Sequence, residues 1–478
     1  MTIRSEQAQP AYEIKISARW LPFADAASST LPMHRLLRLA LFQVSAGAAI
    51  VLLNGTLNRI MVIELSVPVW LVSSMVALPM LFAPVRALIG HRSDQHRSFL
   101  GWRRVPYIWA GTLAQFGGFA IMPFALLLLA GEATNGPAWI GYIAAALAFI
   151  LVGAGMHTAQ TAGLALATDL ASDENRPKVV ALLYIMLLIG MIISSVVFAV
   201  LLSDFSQLRL IKVVQGTAVA TLVLNVIALW QQEVRQPDKT RHDLPRVSFS
   251  DAWSKLRSEP NSLRLLTVVG LGSLGFSMQD ILLEPYGADV LDMSVSATTS
   301  LTALFSIGML GAFAYSSHQL ARGADPIRLS AAGLMLGLFA FASVILAAPM
   351  QSDILFRIGT LSIGLGGGLF AVGTLIYVMD MAKRHEAGLV VGAWSAVQAT
   401  ATGLAIFFGG ALRDVVSGLA ENGSLGVVLN QASTGYTTVY NLEAVILLIS
   451  LMIIGPLTQR GQRQGAEDQT IHFDQFPG

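Results

Sequence analysis

SMQDILLEPYG, Ser277 to Gly287, is the stretch on which the reading of the whole chain turns. It lies inside an apolar run that begins near Leu263, yet it carries Gln279, Asp280 and Glu284. Four residues apart on a helix, Asp280 and Glu284 leave one face a turn from each other. A charged carboxylate in hydrocarbon is costly, so such residues face a bundle interior, pair, or stay protonated. Two on one face mark either a functional pocket or a polar seam between helices. The stretch leaves both open.

Working outward, the surrounding chain is a membrane sequence. Of 478 residues, 54% are hydrophobic and 12% charged, with a mean hydropathy of +0.64. Soluble domains carry about 25% charged residues. A formal net charge of +1 gives no basic or acidic excess that would point to nucleic acid, and no phosphate-loop, dinucleotide or zinc-spacing motif is present. The absence of cysteine excludes disulfides, thiolate metal sites and cysteine-held iron–sulfur clusters. No nucleophile–base pair or cofactor loop supports an enzyme.

Apolar runs long enough to cross about 30 Å of hydrocarbon recur twelve times. They lie near 36–63, 69–90, 105–130, 138–168, 179–203 and 209–232, then near 263–291, 296–320, 327–350, 354–381, 387–412 and 437–457. The expected organisation is a polar N-terminal segment 1–35, a six-helix bundle 36–232, a linker 233–262, a second bundle 263–457 and a tail 458–478. Residues 1–35 show no apolar core with a small-residue cleavage site, so both tails are expected in the cytoplasm. Of the thirty Lys and Arg, Arg59, Arg209, Lys212, Arg357 and Arg413 alone then fall at or near the far side, a positive-inside pattern. Arg413–Tyr436, rich in Gly, Ser and Asn, reads as a far-side loop.

The halves repeat weakly. A shift of 226 lays Leu36–Leu65 over Ser262–Leu291, so that Asn54 meets Asp280 and Asn58 meets Glu284. A shift of 211 lays Asp169 over Asp380 and Val179-Val180 over Val390-Val391. Two six-span halves related by an axis along the membrane normal form the major-facilitator arrangement, an all-α fold whose first, fourth, seventh and tenth spans line a central cavity.

Four further groups could carry chemistry. In the loop GHRSDQHRSFLGWRRVPYI, Gly90 to Ile108, Asp94 could accept from a helix end or from Arg103 and Arg104, latching a cytoplasmic gate; the plainer reading is a basic inside loop. In the fourth span His157, Gln160 and Thr161 share a face. Neutral imidazole ligates chlorin magnesium well, and Gly153, Ala154, Gly155, Ala159, Ala162 and Gly163 leave room for a flat ring. The same residues equally suit a histidine that hydrogen-bonds across a small-residue helix interface. Glycines 364, 366, 367, 368 and 373 read as close helix packing or as room for a flat ligand. Asp169, Asp173, Glu174, Arg176 and Lys178 read as a solvated charge cluster.

Taken together, LLRLALFQVSAGAAIVLLNGTLNRIMVIEL, GHRSDQHRSFLGWRRVPYIW, GMHTAQTAGLALATD and FSMQDILLEPYG resemble the bacteriochlorophyll-delivery family of the PucC/LhaA type, within the major facilitator superfamily. The resemblance runs from about Leu21 to the FDQFPG end, and QDILLEPYG is its most specific piece. It implies an assembly factor for light-harvesting antenna complexes in the intracytoplasmic photosynthetic membrane of a purple bacterium. Bacteriochlorophyll, and carotenoid beside it, would be the carried pigment. Antenna polypeptides would be the partners, with reaction-centre or pigment-synthesis proteins and membrane lipid as further contacts. Under that resemblance the mid-depth residues His157, Gln160, Asn54, Asn58, Gln279, Asp280 and Glu284 become expected anchors for the pigment's magnesium, keto and ester groups. Two other readings stay open: a proton-coupled transporter with the proton on Asp280 or Glu284, and a pigment-free scaffold for antenna helices.

Overall fold

The structure, a computed structural model, describes residues 31–81, 102–130, 137, 139–171, 175–233, 262–382 and 387–467. Its elements are helices throughout: α1 Met33–Ile63, α2 Val69–Leu81, α3 Val105–Leu129, α4 Trp139–Leu170, α5 Arg176–Leu201 and α6 Gln207–Leu229. A broken α7 follows, with arms Ser262–Ser277 and Leu283–Leu291, then α8 Val295–Ala321, α9 Pro326–Met350, α10 Asp353–Ala382, α11 Ala387–Glu421 and α12 Ser433–Glu467. Among the described residues ten helices are long and apolar enough to cross a membrane, or eleven with the bent α7 counted as one span. The chain is a multi-pass membrane protein. Gly90 and Asp94 lie outside the described residues, as do Asp173 and Glu174.

Helix starts follow ordinary capping chemistry. Ser206, Ser294 and Asp325 stand before α6, α8 and α9 and accept from backbone N–H groups of the first turn. Helix–helix contact relies on small residues, which let backbones approach where apolar burial gives no preference for protein over lipid. A Cβ on Gly155 would lie 2.5 Å from the Gly111 carbonyl of α3, and one on Gly333 would lie 2.5 Å from the Gly366 carbonyl of α10. Glycines 364, 366, 368 and 373 of α10 are likewise in close contact with α8 or α9, while Gly367 lies beside the Phe276 ring. Buried amides and hydroxyls add directed bonds, as where Asn225 of α6 accepts from Ser45 of α1 and donates to Thr112 of α3.

Two expectations are corrected. The stretch 413–436 is mostly helix: α11 continues to Glu421 and α12 begins at Ser433, leaving 422–432 between them. The end of an apolar run is not the end of a helix when its charges find partners. Arg413 is bonded to Asp289 and Asp414 at 3.0 Å each, and its guanidinium lies 4.5 Å above the Tyr436 ring.

The second correction is to the seventh span, which is not one continuous helix. Met278–Ile281 winds as a 3-10 turn, and the two arms meet at 46°. Pro285 is placed to favour this. Pro285 has no N–H to give the carbonyl four residues back, and its ring crowds that carbonyl. The orphaned acceptor is Ile281 O. At the equivalent place in the first half, Val51–Leu57 of α1 is wound as a π-helix, and the shift of 226 lays it over Ser277–Leu283. Both leading spans depart from the regular helix at the same depth, one tightened and one loosened.

Candidate functional site

The break in α7 would leave backbone groups without partners in a place water cannot easily reach. Two other helices supply them. Asn58 of α1 donates its Nδ2 to Ile281 O at 2.8 Å, replacing the N–H that Pro285 lacks. Glu443 of α12 accepts the Gln279 N–H on Oε1 at 2.8 Å. Asn58 and Glu443 are both fully buried. The irregular turn is therefore held from both sides, by one helix of each half.

The turn aims polar side chains into a pocket between α1, α7 and α8. Asn54, Gln279, Asp280, Glu284 and Thr302 line it, with Gly55 beneath and the apolar Ile50, Met191, Leu283 and Phe305 completing its wall. Glu284 Oε1 accepts from the Thr302 hydroxyl at 2.7 Å, and Gln279 Nε2 donates to Asp280 Oδ1. Gly55 is needed for close approach: a Cβ there would stand 2.3 Å from Glu284 Oε1. Arg59, one turn beyond Gly55, is paired with Glu64 and donates toward Met293 O at 3.4 Å. The pocket holds about 100 Å³, below the roughly 300–1,000 Å³ of ordinary organic-ligand sites. It is water- or ion-sized.

The sequence-expected residues divide accordingly. Asn54, Gln279, Asp280 and Glu284 come together in this pocket, and Asn58 braces its wall. His157 and Gln160 do not line it. His157 is buried on α4, where the neighbouring small residues are occupied by other helices. Pro79 of α2 fills the space at Gly153, the Gly111–Gln115 backbone of α3 that at Gly155, and the Phe42 ring of α1 that at Gly163. Gln160 Nε2 donates to Gln43 Oε1 of α1 at 3.1 Å.

Glu443 was missed, although the rule that singled out Asp280 applies to it, since it is a carboxylate inside the apolar run 437–457. The gate residues Arg103 and Arg104 meet Asp169 of α4 at 3.5 and 3.2 Å, so Asp169, itself exposed, is an ion-pair partner within the charge cluster expected there. Glu233, just past α6, completes that corner. Its carboxylate accepts the N–H groups of Arg103, Arg104 and Val105 at 2.7 to 3.1 Å, capping α3 from the segment that follows α6.

Behind the same turn, on the outer side of α7, lies a second space of different character. Leu274 and Met278 of α7, Phe408, Ala411, Leu412 and Val415 of α11, and Leu442 and Ile446 of α12 enclose a groove of about 440 Å³. Phe408 and Val415 are exposed at its rim, on a surface that continues the apolar exterior of the bundle. Gln279 and Met278, adjacent in sequence, thus face a polar pocket and an apolar groove respectively.

A family described as PUCC protein matches residues 56–462. An uncharacterised protein of the puhA–bchM intergenic region of Rhodobacter capsulatus is 52% identical over 97% of this chain and 98% of its own length. Protein PucC of Rhodovulum sulfidophilum is 55% identical over 84% of this chain and 89% of its own. Among solved structures, the POT family transporter PepTSo superposes with a TM-score of 0.65 at 13% identity, over 90% of this chain and 99% of that one. At such identity the likeness speaks for fold alone, and the fold is the major-facilitator type expected from the repeat. On the family match and the identity to its members, the chain belongs to the PucC family.

Proposed function

We propose that the protein is an assembly factor that takes up bacteriochlorophyll and passes it to antenna polypeptides in the intracytoplasmic membrane of a purple bacterium, without chemistry of its own. The observation that carries this reading, beside the family, is the pair of spaces around Met278. The central polar pocket is too small for a chlorin, whereas the groove between α7, α11 and α12 is apolar, opens sideways toward lipid and falls within the size range of organic-ligand sites. A phytyl-tailed pigment, or carotenoid, would lodge there from the bilayer, and single-span antenna helices could pack against the same face. In this reading the halves 36–232 and 263–457 form the scaffold, joined by 233–262, with both tails cytoplasmic. Reaction-centre or pigment-synthesis proteins are further partners under this reading.

The test is the absorption spectrum of the protein purified in mild detergent from a pigment-making host that lacks antenna polypeptides. The expected result is a near-infrared bacteriochlorophyll band in proportion to protein. Ala411→Trp, which fills the groove, should reduce it. Loss of the band in His157→Ala instead would move the site to α4. A colourless, stable protein would overturn the carrier reading and favour a pigment-free scaffold.

A second reading, solute transport, draws on the polar pocket between the halves and on the transporter fold. It requires counterflow in liposomes that is abolished by Asp280→Asn, which an assembly factor would not show.

A further inference from the structure

The pigment reading leaves the polar pocket without a task, and its hydrogen-bond accounts do not balance. Gln279 directs its amide N–H groups to Asp280 Oδ1 and to Phe276 O. The Thr302 hydroxyl is given to Glu284 Oε1. Gln279 Oε1 and Glu284 Oε2 remain buried with no donor, on side chains whose residues are 1% and 3% exposed. An unmet buried acceptor costs about 1–3 kcal/mol, more when it is charged. Here both belong to residues that line one pocket, with a second carboxylate, Asp280, beside them. The charge of Arg59 does not offset them alone, since Arg59 is already paired with Glu64.

A surplus of oxygen acceptors and of negative charge calls for a cation. The available donors to it are carboxylate and amide oxygens, the ligand set of hard cations rather than of zinc or copper. The volume of about 100 Å³ accommodates one ion with a few waters. We propose that this pocket binds a single hard metal cation, held by Asp280, Glu284 and Gln279 from α7 and by Asn54 from α1. Thr302 is a positioning residue, which fixes the orientation of the Glu284 carboxylate through Oε1. Because the ligands come from both halves of the chain, occupancy ties α1 to α7 at their irregular turns. This inference stands apart from the pigment groove and does not depend on it.

The test uses the full-length protein in detergent at constant ionic strength, with N-methylglucamine chloride as background. Thermal unfolding is titrated separately with Na⁺, Mg²⁺ and Ca²⁺, and one isotope-labelled ion is counted per chain at saturation. One of the three should raise the unfolding temperature saturably, as a ligand specific for the folded state does, with a stoichiometry near one. Thr302→Ala should weaken the response about 10–100-fold, the usual effect of removing a group that orients a ligand. Glu284→Gln and Asp280→Asn should abolish it. Should those two fail to fold, Asn54→Leu carries the same expectation from the opposite wall. The proposal is overturned if no ion gives a saturable rise, which would mean that protons neutralise the carboxylates. It is equally overturned if the rise survives Glu284→Gln or Asn54→Leu, which would place the ion elsewhere.

Discussion

Gly55 and Glu284, from opposite halves of the chain, are so close that a single added carbon on the glycine would stand 2.3 Å from the carboxylate Oε1. Gly55→Ala must therefore push the Glu284 head aside and break its bond to Thr302. The cost expected is about 1–3 kcal/mol, the range for overpacking with a lost buried hydrogen bond. Thermal unfolding in detergent measures it. The control is the double variant with Glu284→Ala, in which the obstructing oxygen is gone. The cost of Gly55→Ala should shrink in that background, giving a coupling within about 0.5–3 kcal/mol. Strict additivity would mean that the two residues do not share the space.

Asn58 and Pro285 form a pair of a different kind, since both bear on the carbonyl of Ile281. Asn58→Leu keeps roughly the volume but removes the donor, stranding a buried acceptor at a cost of about 1–3 kcal/mol. Pro285→Ala restores a backbone N–H at the position that a regular helix would use. The second substitution should therefore rescue the first in part, although on its own it removes the reason for the bend. Comparing unfolding of the two single variants and the double one checks this. A double variant no more stable than Asn58→Leu alone would show that the break does not originate at the proline.

How much of this could be read before the structure depended on how local the cause was. Apolar run length is local, and among the described residues the runs correspond to the observed helices except where α7 breaks at Met278–Ile281 and where Arg413 and Asp414 let α11 run on to Glu421. The pocket was half legible: Asp280 and Glu284 announce themselves by charge, and the repeat placed Asn54 opposite Asp280. Pro285 was visible too, and the carbonyl it orphans can be counted from sequence. Its rescuer lies 223 residues away, however, and no pattern in the chain names it. The surroundings of His157 were illegible for the same reason. Small residues on α4 are compatible with either a ring or a helix, and only the positions of Pro79, Phe42 and Gly111 decide which.

Glu443 offers a sharper distinction between charge and hydrogen bonding. Its Oε1 accepts from the Gln279 N–H, and that role needs an oxygen but not a negative charge. Glu443→Gln retains a carbonyl oxygen at the right reach and should change stability by less than about 1 kcal/mol. Glu443→Leu leaves the amide of a broken helix unmet and should cost about 1–3 kcal/mol. Denaturant or thermal unfolding of the two variants side by side separates these outcomes. Equal losses would show that the charge itself, and not the bond to Gln279, is what the fold uses.

Glu233 does for α3 what Glu443 does for α7, at the mouth of the bundle instead of its middle. Three successive N–H groups, of Arg103, Arg104 and Val105, point at one carboxylate supplied by the segment after α6. A helix N-terminus presents unmet donors and the positive end of the helix dipole, so an acidic cap serves both. Removing it with Glu233→Ala should cost about 0.5–2 kcal/mol, the usual range for loss of an N-cap. Glu233→Gln, which keeps an acceptor but not the charge, should lose only the dipole part, about 0.3–1 kcal/mol. Hydrogen exchange reads the effect locally: the amides of residues 103–105 should exchange faster in Glu233→Ala, while those in the middle of α3 stay protected. The pairs of Arg103 and Arg104 with Asp169, at 3.5 and 3.2 Å, are further ties at this corner. Adding Asp169→Asn to Glu233→Ala should therefore extend the faster exchange one turn further along α3. Unchanged exchange at residues 103–105 in Glu233→Ala would mean that α3 begins without help from α6.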